Sequence, residues 1–220
     1  MLTELAVAVT TDATVHADGS ITVTEHVTGP ATHRIALRVP VSADEERVYT
    51  VRDARLTGAG HVNQEPDALQ VTYSGPATLS YTVDGSVADG GLVRWPVTGG
   101  WDQDLTTLTA TLAAPGISTV DCYAGAVGSA RHCTFSELGS GGTARAEQDG
   151  LRRGDRVDLV VQVPTGALAA TAKTVATAPV KAFFAGPGIP LVALLVLLAG
   201  AAATWRHRRR ETRQRVLARA

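Results

Sequence analysis

From Ala182 to Trp205 the chain carries no charged side chain, and Arg206, His207, Arg208, Arg209 and Arg210 follow at once. At 1.5 Å per residue this run would form a helix of about 36 Å, enough to cross the hydrocarbon core of a bilayer. It divides the chain into a large N-terminal region, one span and a short basic tail. Pro187 and Pro190 fall near its start, where a first helical turn tolerates proline. The expected transmembrane helix therefore occupies 186–205. Gly200 with Ala201, Ala202 and Ala203 forms a small-residue patch, which alanine-rich composition explains more simply than helix packing.

Charge asymmetry orients the span. The tail, 206–220, holds seven arginines, including Arg206, Arg208, Arg209 and Arg210, against Glu211 alone, while the opposite flank offers Lys173 and Lys181. Excess arginine and lysine marks the cytoplasmic side, so the tail is expected inside and the N-terminal region outside a plasma membrane. The expected partner of this segment is the bilayer itself, with anionic lipid headgroups as a further contact of the arginines. The opening MLTELAVAVTTDATV has neither a basic n-region nor a sustained apolar core, so it is not a signal peptide. An exported domain then implies a signal sequence encoded upstream of Met1.

The remaining residues, 1–205, carry 13 basic and 20 acidic side chains, a net charge of −7. Such a balance excludes nucleic acid as a partner, because phosphate backbones require concentrated positive charge. Threonine and valine alternate, and turn residues recur every ten or so positions, which is the pattern of an all-β sandwich or barrel. In TVHADGSITVTEHVT, Asp18-Gly19 forms a tight hairpin; Ile21, Val23 and Val27 share one face, and Thr22, Thr24, His26 and Thr28 the other. Ile35, Leu37 and Val39 point inward in the next run, which ends at Pro40. Further strands are expected at 47–56, 69–73, 78–84, 105–112, 118–123 and 156–163, eight to ten in all. The expected fold is thus an all-β extracytoplasmic sandwich over 1–166, with an immunoglobulin-like arrangement as one form of it. A membrane-proximal stalk over 167–185 and a single C-terminal transmembrane helix follow.

Cys122 and Cys133 are the only cysteines, and a pair in an exported domain reads as a disulfide closing a short loop. That staple would contribute about 3 kcal/mol in the chain-entropy picture. Zinc would need more ligands than His132 beside Cys133 can supply, and no metal or cofactor is expected. Trp95 and Trp101 bracket WPVTGGW, either as an aromatic platform or as core aromatics around a turn; they are named as the candidate contact surface. Histidines 16, 26, 33 and 61 suggest no site, since His26 belongs to the threonine face. Glu25 is less ordinary, because parity puts it with Ile21 and Val23. It is expected either at the domain rim or buried against Arg34 or Arg38, since burial without a partner is costly. No nucleophile elbow, phosphate loop or H-E-x-x-H zinc motif is present, so no enzymatic activity is expected.

The DGSITVTE hairpin, the strand ending in Pro40, Tyr81-x-Val83, Trp95 and Trp101, Pro115, and Cys122-x-x-Gly125 with Cys133 occur in an order that resembles domain of unknown function 2207. That domain belongs to the YciQ-like predicted bacterial membrane proteins. The resemblance covers about residues 10–166 and implies an exported β-rich domain anchored by a membrane helix. It implies no catalytic or binding residues. Members typically start with a signal peptide and continue into further spans, which this chain does not show. The expected role is a single-pass membrane protein presenting a β-sandwich for binding or assembly at the cell envelope, with an unidentified membrane or envelope protein as partner. Two alternatives stand beside it: a glycan-acting envelope enzyme using paired carboxylates, and an accessory or sensor subunit of a membrane complex.

Overall fold

A computed structural model of the protein describes residues 6–97 and 99–177. The expected span at 186–205, the tail arginines Arg206, Arg208, Arg209 and Arg210, and the last part of the expected stalk lie outside the described residues. Among those described, no helix is long and apolar enough to cross a membrane. The described residues form fourteen strands that follow one another without a helix between them. They are β1 (Ala8–Val15), β2 (Ile21–Val27), β3 (Ala31–Ala36), β4 (Arg38–Pro40), β5 (Glu45–Val48), β6 (Thr50–Gln64) and β7 (Ala68–Asp84). After these come β8 (Leu92–Pro96), β9 (Leu105–Ala113), β10 (Thr119–Gly125), β11 (Phe135–Gly139), β12 (Thr143–Leu151), β13 (Arg156–Gln162) and β14 (Lys173–Ala176).

The largest sheet runs β11-β12-β9-β1-β2-β7-β3, with β6 also on β7; β10-β13-β8 and β14-β5-β4 form two three-stranded sheets. Every pairing is antiparallel except β1 with β9. The inward sets are those that period-2 alternation selects. Val9 and Ala13 on β1, Ile21 and Val23 on β2, and Leu108 and Leu112 on β9 face one core. That core also takes Val93 and Trp95 from β8 and Leu159 and Val161 from β13. Two sheets that each bury one face against a shared apolar interior make a sandwich.

The β1–β2 connection contains five residues, His16, Ala17, Asp18, Gly19 and Ser20. His16 N–H donates to the Ser20 carbonyl, and Gly19 N–H donates to the His16 carbonyl. Asp18 Oδ1 accepts from both the amide and the hydroxyl of Ser20. Gly19 sits at φ 79°, and a Cβ there would lie 2.2 Å from the Ala169 carbonyl oxygen, so glycine is required on two counts.

Three expectations change. The two strands expected at 69–73 and 78–84 are halves of one strand, β7. Its first half pairs with β3 and its second with β2. Ser74–Pro76 fall between the two ladders, where proline's missing N–H costs no hydrogen bond. Residues 140–142 form the β11–β12 turn, and neither of those strands stood among the expected ones. The stalk does not begin at 167. Ala169 N–H donates to the Ala17 carbonyl, Thr171 N–H to the Val87 carbonyl, and β14 pairs with β5. The alanine- and threonine-rich composition there concealed a strand that closes the domain, and the compact unit extends to Ala176.

Candidate functional site

Glu25 occupies an inward position of β2 and is fully buried, as is His33 on β3. Glu25 Oε1 accepts a hydrogen bond of 2.6 Å from the Tyr73 hydroxyl and lies 3.1 Å from His33 Nδ1. The other ring nitrogen, Nε2, accepts from the Gly99 N–H at 3.0 Å. A nitrogen that accepts carries no proton, so Nδ1 holds it and donates to Glu25. The His33 ring stacks on Trp101 with centroids 4.2 Å apart, and Tyr73 lies against the same indole at 6.0 Å. Gly99 is the keystone of this contact, since a Cβ there would sit 1.9 Å from the Arg34 carbonyl oxygen.

Burial, reinforced by the neighbouring Glu25, holds the Tyr73 hydroxyl far above its ordinary titration range. Tyr81 is shifted the same way by burial and Glu25, against a smaller opposing effect of its hydrogen bond with Trp95. Glu25 Oε2 and the hydroxyl of Thr11, the residue paired with Glu25 across β1–β2, are both buried without a protein partner. Chemically this group joins strands. A histidine base needs a free nitrogen facing substrate, and both nitrogens of His33 are engaged inside the core.

A second constellation is accessible. Cys122 and Cys133 form a disulfide with Cα atoms 5.4 Å apart. The bond holds the returning segment against the outer edge of β10. Cys133 N–H donates to the Cys122 carbonyl, Ala124 N–H donates to the Arg131 carbonyl, and the Tyr123 and His132 rings meet at 5.1 Å. The loop between them, Gly125–Ser129, lines a cavity of about 20 Å³ together with Arg94, Arg156 and Asp158. Arg94 Nη2 donates to Asp158 Oδ2. Burial opposes the Arg94 charge, but Asp158 more than offsets it and raises its pKa. Arg156 is shifted down by burial, with the like charge of Arg34 adding to the effect and Asp158 opposing it. An open cleft of about 450 Å³ adjoins the cavity, sharing Gly125, Ala126 and Ser129 and continuing to Arg131, Gln148 and Arg152.

The expected site residues fall as follows. Cys122 and Cys133 come together. Trp95 and Trp101 are 1 % and 2 % exposed, which corrects their assignment as a contact surface. Trp95 alternates inward on β8 and Trp101 stacks on His33, so both belong to the core. Glu25 is buried as parity predicts, but its partners are His33 and Tyr73; Arg34 instead bridges to Asp67 at 3.0 Å and Arg38 to Glu46 at 3.8 Å. His26 lies on the exposed face against Thr78, and His16 against Thr22. Arg94 and Arg156 are functional candidates that the sequence reading did not single out. Strand parity in DRVDLVVQV does put Arg156 and Asp158 on one outer face, which was the available signal. Among the described residues no cluster of three His, Cys, Asp or Glu could hold a metal ion.

Residues 8–176 match the family described as "Predicted membrane protein (DUF2207) N-terminal domain". No curated protein matches the chain. Among solved structures it is similar to an aminopeptidase N family protein from Idiomarina loihiensis, at 13% identity and a TM-score of 0.39 over 69% of this chain and 29% of that one. It is also similar to an M1 zinc metallopeptidase from Deinococcus radiodurans, at 14% identity and a TM-score of 0.29 over 70% of this chain and 41% of that one. The chain thus spans less than half the length of either protein, and neither score reaches the level at which shared topology follows.

Proposed function

The chain belongs to the DUF2207 family of predicted membrane proteins, and from that premise we propose that it is a single-pass protein of the cell membrane whose β domain serves binding or assembly outside the cytoplasm. The observation that carries this reading is the Cys122–Cys133 bond. Disulfides persist in oxidising compartments and are rare in the cytosol. The arginine excess after Trp205 argues for the same side by an independent rule. Binding is favoured over catalysis because the one buried acid–histidine pair among the described residues has its second imidazole nitrogen taken by the Gly99 amide. The stapled loop Gly125–Ser129 and its adjoining cleft supply the contact surface, in place of the two tryptophans.

Thiol chemistry in living cells tests the compartment. In cells producing the full chain, alkylation before lysis is expected to modify neither cysteine, and alkylation after reduction both. Free thiols in the membrane-inserted chain would overturn the exported placement.

A further inference from the structure

We propose that the cavity lined by Arg94, Arg156 and the Gly125–Ser129 loop binds a carboxylate group presented by a polar ligand. The inference deepens the reading of this face as a contact surface and rests on it.

The argument starts from an unmet donor. Arg156 lines the cavity, and its Nη1 is buried without an acceptor. A buried guanidinium N–H left unpaired is costly, and the acid in the lining, Asp158, is already engaged by Arg94. Arg156 Nη1 itself is out of solvent contact, so an anion seated in the lining would be drawn by the uncompensated charge of the guanidinium. The lining carries two arginines and one aspartate, so it offers one net positive charge and matches a monoanion better than a dianion. Two further nitrogens of Arg47, Nε and Nη1, are buried without acceptors.

Size narrows the ligand. A cavity of about 20 Å³ is little more than one water-sized sphere, so only the head of a ligand enters. A planar carboxylate meets the flat guanidinium fork edge to edge, whereas a tetrahedral phosphate presents more bulk and, at neutral pH, more charge. The body of the ligand would lie in the adjoining cleft, where Gln148, Arg131 and Arg152 alternate with Asp149 and Asp155. That lining suits a hydrogen-bonding body rather than an apolar one. The loop over the cavity is held by the disulfide and by Ser129, whose hydroxyl donates to the Ala124 carbonyl and accepts from the Arg131 amide. Such preorganisation lowers the ordering cost of binding.

The test uses the full chain in detergent micelles, with backbone amide NMR as readout and acetate as probe, at fixed ionic strength set by sodium chloride. Acetate is expected to shift the Gly125–Ser129 and Arg156 signals saturably. Arg156→Gln should raise the acetate Kd by about tenfold or more, the loss of a charge-assisted bidentate contact. Arg145→Gln, on the exposed face of β12, should leave the Kd unchanged. Arg156→Lys, which keeps the charge and loses the fork, should give an intermediate value and covers the case in which the glutamine variant fails to fold. Shifts that do not saturate, or that persist unchanged in both Arg156 variants, would overturn the proposal. So would inorganic phosphate at pH 8 binding as tightly as acetate, or chloride competing equally. The topology of the chain has no bearing on this measurement, so a wrong compartment and a wrong ligand would be told apart.

Discussion

Glu25 sits at a position that β2 turns into the core, and its carboxylate is tolerated there because two donors reach one oxygen. Glu25→Ala would leave the Tyr73 hydroxyl and the His33 Nδ1–H buried without an acceptor. Each such loss costs about 1–3 kcal/mol, and the vacated volume adds to it. The expected loss of stability is about 3–5 kcal/mol by urea unfolding followed through tryptophan fluorescence. Glu25→Gln retains an acceptor oxygen and should cost less than half as much. A Glu25→Ala variant within 1 kcal/mol of the parent, by the same order-of-magnitude scale, would remove the cluster from any structural role. The neighbouring tyrosines set a limit at high pH. Tyr49, Tyr73 and Tyr81 are all held protonated above the ordinary value of 10.0, in each case chiefly by burial. The unfolded chain releases these protons near pH 10 and the folded chain keeps them, so their contribution is complete below pH 10 and is lost as pH rises beyond it. Each tyrosine removes about 1.4 kcal/mol per pH unit in that range. Urea midpoints measured at pH 9 and pH 11 should fall accordingly, and equal midpoints would mean that the phenols ionise in place.

Elements were read from the chain with uneven success, and the reasons are physical. Strands that bury one face, such as β2, β9 and β13, announce themselves by alternation, because a one-residue slip would turn the whole apolar set to solvent. Edge and ribbon strands carry no such signal. In β11 every residue but Gly139 is exposed, and β14 exposes all but Val175. Their pairing depends on a partner's edge, so composition made β14 look like a stalk. Pro76 falls between the strands expected at 69–73 and 78–84, where β7 changes partners and no ladder bond is due. The cysteine pair was legible because only two candidates existed. Glu25 was legible as an anomaly, but its partners were not. His33 reaches it from the next strand and Tyr73 from 48 residues away, distances that only the β2–β7–β3 pairing brings together. Trp101 was misplaced for a related reason: a glycine-flanked tryptophan resembles a surface turn until His33 is known to lie beneath it.

At the scale of the whole molecule, the domain ends where the sheet's last ribbon ends. The family match and the compact unit both reach Ala176. The uncharged run begins six residues later, at Ala182. The account places everything up to that run outside the cytoplasm and the arginines after Trp205 inside. The β domain offers solvent a stapled, arginine-lined cavity, while its acid–histidine pair is spent on holding strands together. Its net charge of −7 over residues 1–205 makes the positive balance at that cavity a local feature and not one of the surface as a whole. The most direct test is protease shaving of intact cells that produce the full chain with an epitope tag after Ala220. The account predicts that external protease removes the β domain while the tag stays protected on a short membrane-embedded fragment until the cells are lysed. A tag lost from intact cells, with the β domain left whole, would contradict it.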